Sequence, residues 1–261
     1  MIKLIASDLD GTLLQNGAQE LNPKVFDQIR ALAENGIRFV AASGRQYPNL
    51  RRLFAPVQDV ISYIAENGSL CIHDGQVLSR GLIPRDLGER IVDAIHCCSG
   101  CECIISGEEV CYSDSRNEAF RDHMLHVVKN DMKFVDNIDE IREPFLKIAV
   151  CNFDGTKDCL AYFQELFSKE IKVVTSGNIW VDFIAPGASK GHALQTLLDH
   201  LHIAPEDCVA FGDQYNDVEM LQLAGTSYAM SNAAPGISFY STYVTDSVPE
   251  VLDDIIASVG L

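Results

Sequence analysis

Positive charge is what this sequence has least of: 20 Lys and Arg stand against 37 Asp and Glu, a formal net charge of −17 over 261 residues. Nucleic acid and anionic membranes are usually met with clustered Lys and Arg, so neither is an expected partner. No run of about 18 apolar residues is present, and no membrane span is expected. The short apolar start Met1 to Ala6 passes at once into acidic residues and Gly11, which is not the pattern of a targeting leader. Internal repeats and low-complexity stretches are also missing. Cysteine is not scarce, but its nine residues are odd in number and scattered, which argues against a disulfide framework and for reduced thiols in a cytoplasmic setting. The cluster Cys97, Cys98, Cys101, Cys103 and Cys111 is the exception. Cys98 and Cys101 have the spacing of a metal knuckle that Cys103 or Cys111 could complete. A second knuckle is lacking, and Cys103 opens the apolar run Cys103-Ile104-Ile105, so small buried hydrophobes are the expected reading.

With 47% apolar residues the chain can fill a sizeable core. The run Ile2 to Ser7 reads as a buried strand ending at Asp8. Asn22-Pro23 opens a helix with Val25, Phe26, Ile29 and Leu32 at helical spacing, closed by Asn35-Gly36. A strand over Ile37 to Ala42, a helix from about Tyr47 to Phe54 and a strand over Ile61 to Ala65 continue the alternation, which predicts a parallel sheet with crossover helices. Between Ile83 and Pro186 the rhythm changes. A helix from Arg85 to Cys97, strand-like runs around Ile104 and Val110 with Gly107 at the turn, and a helix near Glu118 to Val128 come first. A strand over Lys147 to Val150, a helix over Leu160 to Phe167, and paired strands over Ile171 to Val174 and Trp180 to Ile184 follow, the pattern of an antiparallel α+β module. After Ser189 the first pattern returns, with a helix over Gly191 to Leu201, a strand over Cys208 to Phe211, a helix over Val218 to Leu223 and a strand over Ser227 to Met230. The expected fold is an α/β, Rossmann-like parallel-sheet core in two parts, residues 1–82 and 187–261, interrupted by an α+β cap over residues 83–186.

Asp8, Ser43 and Asp213 each fall just past the carboxyl end of a predicted core strand, the place where open α/β sheets bind ligands. Asp8-Leu9-Asp10-Gly11-Thr12 sets two carboxylates two residues apart where the strand leaves the sheet, so that one can attack while the other lies elsewhere around the reacting group. A site of acids alone would repel a phosphate, at a cost on the order of 4 kcal/mol for like charges about 4 Å apart at an effective dielectric of 20. Mg2+ resolves this by accepting hard oxygen ligands and bridging carboxylate to phosphate. Asp213 and Asp217 supply further acids. Lys190 opens a helix whose amides also favour an anion, and Ser43, the Gly44 amide and Arg45 can donate to phosphate oxygens.

These four segments resemble the motifs of the haloacid dehalogenase superfamily of phosphatases, in the Cof-like group with a large cap between the second and third motifs. Asp8-Leu9-Asp10-Gly11-Thr12-Leu13 is similar to motif one, Ser43-Gly44-Arg45 to motif two, Lys190-Gly191 to motif three and Gly212-Asp213 through Asn216-Asp217 to motif four. The tail through Ala229-Met230-Ser231-Asn232-Ala233 is similar as well, so the resemblance covers essentially the whole chain. It implies Asp8 as nucleophile and Asp10 as general acid and base. It further implies Mg2+ held by the side chains of Asp8 and Asp213 and the backbone carbonyl of Asp10, with Asp217 in support. Phosphate contacts are implied from Leu9 backbone, Ser43, Gly44, Lys190 and Asn216. The expected substrate is a small phosphorylated molecule, selected by a cap that closes over the crevice. The expected state is a monomer or weak homo-oligomer.

Each segment alone has a plainer reading: Asp8 to Thr12 a turn, Ser43 a helix entry, Lys190 a solvated lysine, Asp213 and Asp217 a cap and a dipole partner. Asn152-Phe153-Asp154-Gly155-Thr156 echoes motif one but has Asn152 in place of the attacking acid, and is expected to be a turn. Tyr47, Asn67, Trp180 and Asp182 are further candidates to face the substrate. His123 and His126 are expected on an exposed helix face. The rivals to hydrolysis are a phosphomutase or phosphotransferase using the same aspartyl phosphate, and a non-catalytic ligand-binding regulator.

Overall fold

In the computed structural model, which describes residues 1–175 and 178–259, the chain runs first through β1 (Leu4–Ser7), α1 (Pro23–Glu34), β2 (Arg38–Ala42), α2 (Tyr47–Leu53), β3 (Ile61–Ala65), β4 (Leu70–His73) and β5 (Gln76–Arg80). Then come α3 (Arg85–His96), β6 (Glu102–Ser106), β7 (Cys111–Ser113), α4 (Glu118–Asp122), β8 (Met132–Phe134), β9 (Lys147–Cys151), α5 (Lys157–Phe167), β10 (Lys172–Thr175) and β11 (Trp180–Ile184). The last stretch holds α6 (Lys190–Leu201), β12 (Cys208–Gly212), α7 (Val218–Leu223), β13 (Thr226–Met230), β14 (Tyr243–Thr245) and α8 (Val248–Val259). Contacts divide the chain into one unit of Met1–Arg45, Leu50–Ser79 and Ser189–Leu261, and a second of Gln46–Asn49 and Arg80–Ala188.

The first unit is built on a sheet whose described strands run β14-β13-β12-β1-β2-β3-β4-β5. β1, β2, β3, β12, β13 and β14 pair in parallel, while β4 returns antiparallel to β3. A parallel strand covered on both faces must be apolar on both, which is why Leu4, Ile5 and Ala6 form an unbroken run and are all fully buried. One face packs Leu4, Ala6, Val40, Ile64 and Ala210 against Ala193, Leu194, Leu197 and Leu198 of α6; each such Leu or Ile buried stabilises the fold by about 1.5–3 kcal/mol. α1 begins as its sequence suggests: the Asn22 side chain accepts from the Lys24 amide and Pro23 takes the first turn. The hairpin β4–β5 was not among the expected elements. Asp74 (φ 48°) and Gly75 (φ 73°) make its tight turn, the conformation that an Asp-Gly pair favours.

The second unit is a sheet ordered β10-β11-β9-β6-β7-β8, antiparallel except where β7 and β8 run together. One face carries Ile105, Ile148, Val150, Val181 and Phe183 against Ile91 and Ile95 of α3 and Phe163 and Phe167 of α5. The expected single helix near Glu118 to Val128 is instead α4 followed by a π-helical turn over His123–Val128, which ends on Lys129 in the left-handed region.

The cysteines pack as the small hydrophobes expected of them: Cys103 belongs to the core against α3, with Cys98 and Cys101 packed at its margin, and Cys111 belongs to a smaller cluster with Phe120 and Met124. The Cys101 thiol lies within hydrogen-bonding reach of Cys98 and Cys159. Cys97 is exposed, Cys98 and Cys101 half-buried, and the other six cysteines buried. Burial pushes the thiols of Cys71, Cys151 and Cys208 up to about 12. A colorimetric thiol reagent at pH 8 will therefore find at most three thiols in the folded protein and nine after unfolding in guanidinium. Rapid reaction of all nine in the native state would show that this packing is wrong.

Candidate active site

Three parallel strand ends meet here. β1 hands the chain to Asp8, whose amide still donates to Phe211 carbonyl in the ladder at 3.0 Å. β2 hands it to Ser43, whose amide donates to Ile64 carbonyl, and β12 to Asp213. Gly11 adopts φ +91°, and a Cβ there would collide with the Asp213 carboxyl. Only glycine lets the loop after β1 pass so close beside the end of β12.

The Asp8 side chain is buried and Asp10 is not: β1 ends at Ser7 and the chain turns through Gly11, so the two carboxylates no longer share a face as residues two apart on a strand would. Lys190, fully buried at the first position of α6, sets its ammonium between two carboxylates, 2.5 Å from Asp8 Oδ1 and 2.6 Å from Asp217 Oδ1. The second Asp217 oxygen accepts from the amides of Asp213 and Gln214, each at 3.0 Å. Asp213 accepts from Thr12 Oγ1 at 3.1 Å and from Gln214 Nε2 at 3.2 Å. Asp8 Oδ2 is buried and receives no hydrogen bond. Its carboxyl is close enough to that of Asp213 to share a proton were either protonated; with both ionised the two only repel.

Ligand oxygens of Asp8, Asp213 and Asp217 lie within 4.8 Å of one another, the one such grouping among the described residues that could hold a metal. Burial first, and the Asp217 charge second, drive the Asp8 carboxyl well above the usual carboxylate range, against the pull of Lys190. Burial also raises Asp213. Burial works against the Lys190 charge, but Asp217 and Asp8 outweigh it and hold the ammonium protonated. Three carboxylates against one ammonium leave two negative charges, the amount a single divalent cation cancels. All-oxygen donors, one of them a buried oxygen that nothing else satisfies, fit a hard cation. Both Asp217 oxygens are engaged, one by Lys190 and the other by two amides, so Asp217 holds Lys190 and the loop after β12 in place.

Ser43 is buried, accepts from the Arg45 amide at 3.1 Å, and has its hydroxyl proton left to donate. The Arg45 guanidinium forks onto Asp10, at 2.9 Å through Nε and 2.6 Å through Nη2. Arg45, a candidate to contact phosphate, holds Asp10 in this structure. Leu9 is buried, and its carbonyl accepts from Thr12 and Leu14, which fixes the loop after Asp8. Asn216 donates through Nδ2 to Asn67 Oδ1 at 2.9 Å. Two contacts went unread in the sequence. Thr12 reaches Asp213 from within motif one, and Asn232 donates to Gly11 carbonyl at 2.9 Å. The motif-one echo at Asn152 is a turn, with Asn152 Oδ1 accepting from the Asp154 amide and Gly155 at φ +106°.

A family model described as haloacid dehalogenase-like hydrolase matches residues 5–253. The chain is 29% identical to 5-amino-6-(5-phospho-D-ribitylamino)uracil phosphatase YbjI of Escherichia coli, over 98% of this chain and 96% of that protein. It is 27% identical to an HMP-PP phosphatase of Escherichia coli, over 90% of this chain and 86% of the other. A solved structure from Eubacterium rectale superposes with a TM-score of 0.87 at 30% identity, covering 97% of this chain and 99% of that one.

Proposed function

Since the chain belongs to the haloacid dehalogenase-like hydrolases and is an enzyme of that family, we propose that it hydrolyses phosphate esters of small metabolites through an aspartyl phosphate on Asp8. The observation that carries this reading is the state of the Asp8 carboxylate: one oxygen fixed by Lys190 and the other buried with no donor, at the carboxyl end of the parallel sheet. Two relatives named for phosphatase activity, on a phosphorylated ribitylaminouracil and on HMP-PP, support a small phosphorylated substrate.

Asp8 and Asp213 would hold Mg2+ through their side chains and Asp10 through its backbone carbonyl, with Asp217 in support. Bound there, the ion supplies the positive charge that lets a dianionic phosphate approach these acids. Asp8 attacks phosphorus, and the bond from phosphorus to the ester oxygen breaks. Asp10, protonated, gives its proton to the departing oxygen. It then takes a proton from the water that attacks the same phosphorus and frees Asp8. Because Arg45 grips Asp10, that fork must open before Asp10 can serve the leaving oxygen. Ser43, the amides of Leu9 and Gly44, Lys190 and Asn216 donate to the phosphoryl oxygens, so positioning and charge stabilisation provide most of the rate gain.

A generic aryl phosphate offered without any acceptor alcohol tests this directly. Phosphate is expected to appear with millimolar Mg2+ and to cease in EDTA, recovering when Mg2+ is returned in excess. Dependence on an added alcohol would point to a phosphotransferase on the same intermediate. A protein inert under both conditions across a broad panel of phosphorylated metabolites would remove the reading.

A further inference from the structure

β3 pairs in parallel beside β2. It runs into Glu66-Asn67-Gly68, where Glu66 (φ 50°), Asn67 (φ 57°) and Gly68 (φ 92°) are left-handed one after another. Glu66 and Asn67 are buried, and neither is a glycine that would adopt this conformation freely. Such strain persists only where surrounding contacts over-determine it, and it tends to collect at functional sites.

The contacts that hold this turn reach three of the four motifs. The Glu66 amide donates to Arg45 carbonyl at 3.1 Å and the Asn67 amide to Ser43 carbonyl at 3.0 Å, fixing the backbone of motif two on both sides of Gly44. The Asn67 side-chain amide lies flat against Gly44: a Cβ placed on Gly44 would stand 3.0 Å from Asn67 Oδ1 and 3.3 Å from Nδ2. The same Oδ1 accepts from Asn216 of motif four. Gly68 packs onto the backbone of Ser189 and Lys190, so closely that a Cβ would overlap the Ser189 carbonyl. Lys190 in turn grips Asp8 and Asp217.

We propose that the turn after β3 is the positioning element of this active site, with Asn67 as the residue that holds Gly44 of motif two and Asn216 of motif four in register. The inference rests on the phosphatase reading above. Asn67 acts through its neighbours, by an amide wedged between a glycine whose added Cβ would crowd it and an asparagine it anchors.

The test is a double-mutant cycle of Asn67→Gly, Asn216→Ala and the pair, assayed on an aryl phosphate with Mg2+. Glycine tolerates φ 57° and removes only the side chain. Asn67→Gly should lower kcat/KM about tenfold, split between kcat and KM in the same way as Asn216→Ala, and the double variant should fall no more than about twofold below the worse single one. A purely structural role would not reproduce the kinetic signature of Asn216. Activity of Asn67→Gly within about twofold of wild type, or losses that multiply in the double variant, overturns the assignment. If Asn67→Gly does not fold, Asn67→Ser takes its place under the same two criteria. Wild-type protein in parallel separates the two readings: an inert wild type removes both, whereas an active wild type with an additive cycle removes only this one.

Discussion

Replacing Asp8 by Asn is expected to cut turnover by on the order of 10⁴-fold or more while the protein stays folded, since an amide oxygen is no nucleophile toward phosphorus and residues that act as a unit fail together. The fold survives because the change is nearly isosteric. The Lys190 ammonium keeps Asp217 and can still donate to the new carbonyl oxygen. The exchange also removes one of three negative charges crowded within 4.8 Å, so in EDTA the variant should melt no lower than wild type. Two measurements decide it: initial rates on a good substrate, and thermal unfolding followed by circular dichroism. Residual activity within tenfold of wild type would move the nucleophile elsewhere.

Lys190→Met should cost both stability and activity. A buried ion pair stripped of one partner leaves uncompensated charge, typically worth 3–5 kcal/mol, and here one ammonium serves two carboxylates, itself wholly buried. Methionine fills much the same volume, so the loss reports charge rather than a cavity. Urea unfolding should show the midpoint falling sharply in EDTA, with part of the loss restored by Mg2+, because a cation bound among Asp8, Asp213 and Asp217 replaces some of the missing positive charge. Turnover should not recover with the metal, since the ammonium orders Asp8 Oδ1. A Met variant as stable as wild type in EDTA would mean that these carboxylates are not ionised together.

Much of this was legible in the sequence, for a physical reason. Parallel core strands are apolar on both faces, so Leu4 to Ser7 and Cys208 to Gly212 stand out as short uninterrupted runs, and the residue after each run is placed by the fold itself. What stayed hidden lacked that contrast. The hairpin of β4 and β5 ends in Gln76–Arg80, a half-exposed edge strand with little periodicity, although Asp74-Gly75 marked its turn. β8 and β14 are three residues each, too short to show a pattern. Pairings between side chains were equally out of reach. No spacing tells that Arg45 will fork onto Asp10 rather than wait for phosphate, or that the third thiol beside Cys98 and Cys101 comes from α5 at Cys159. Asn67 stood among the candidates to face the substrate, but nothing in the sequence told that its amide would lie against Gly44 and accept from Asn216.

The strand that delivers Asp8 has β2 on one side and β12 on the other. A ribosome releases Leu4–Ser7 early and Cys208–Gly212 only after the whole intervening segment has emerged. During that interval the middle of the future sheet is a bare, apolar border, open to mispairing with other nascent chains. Closing it demands a contact spanning some two hundred residues, which slows folding relative to local pairing. Lys190 and Asp213 arrive in the same late portion, so under the proposed mechanism a truncated translation product should be inactive until synthesis has passed the second half of the sheet.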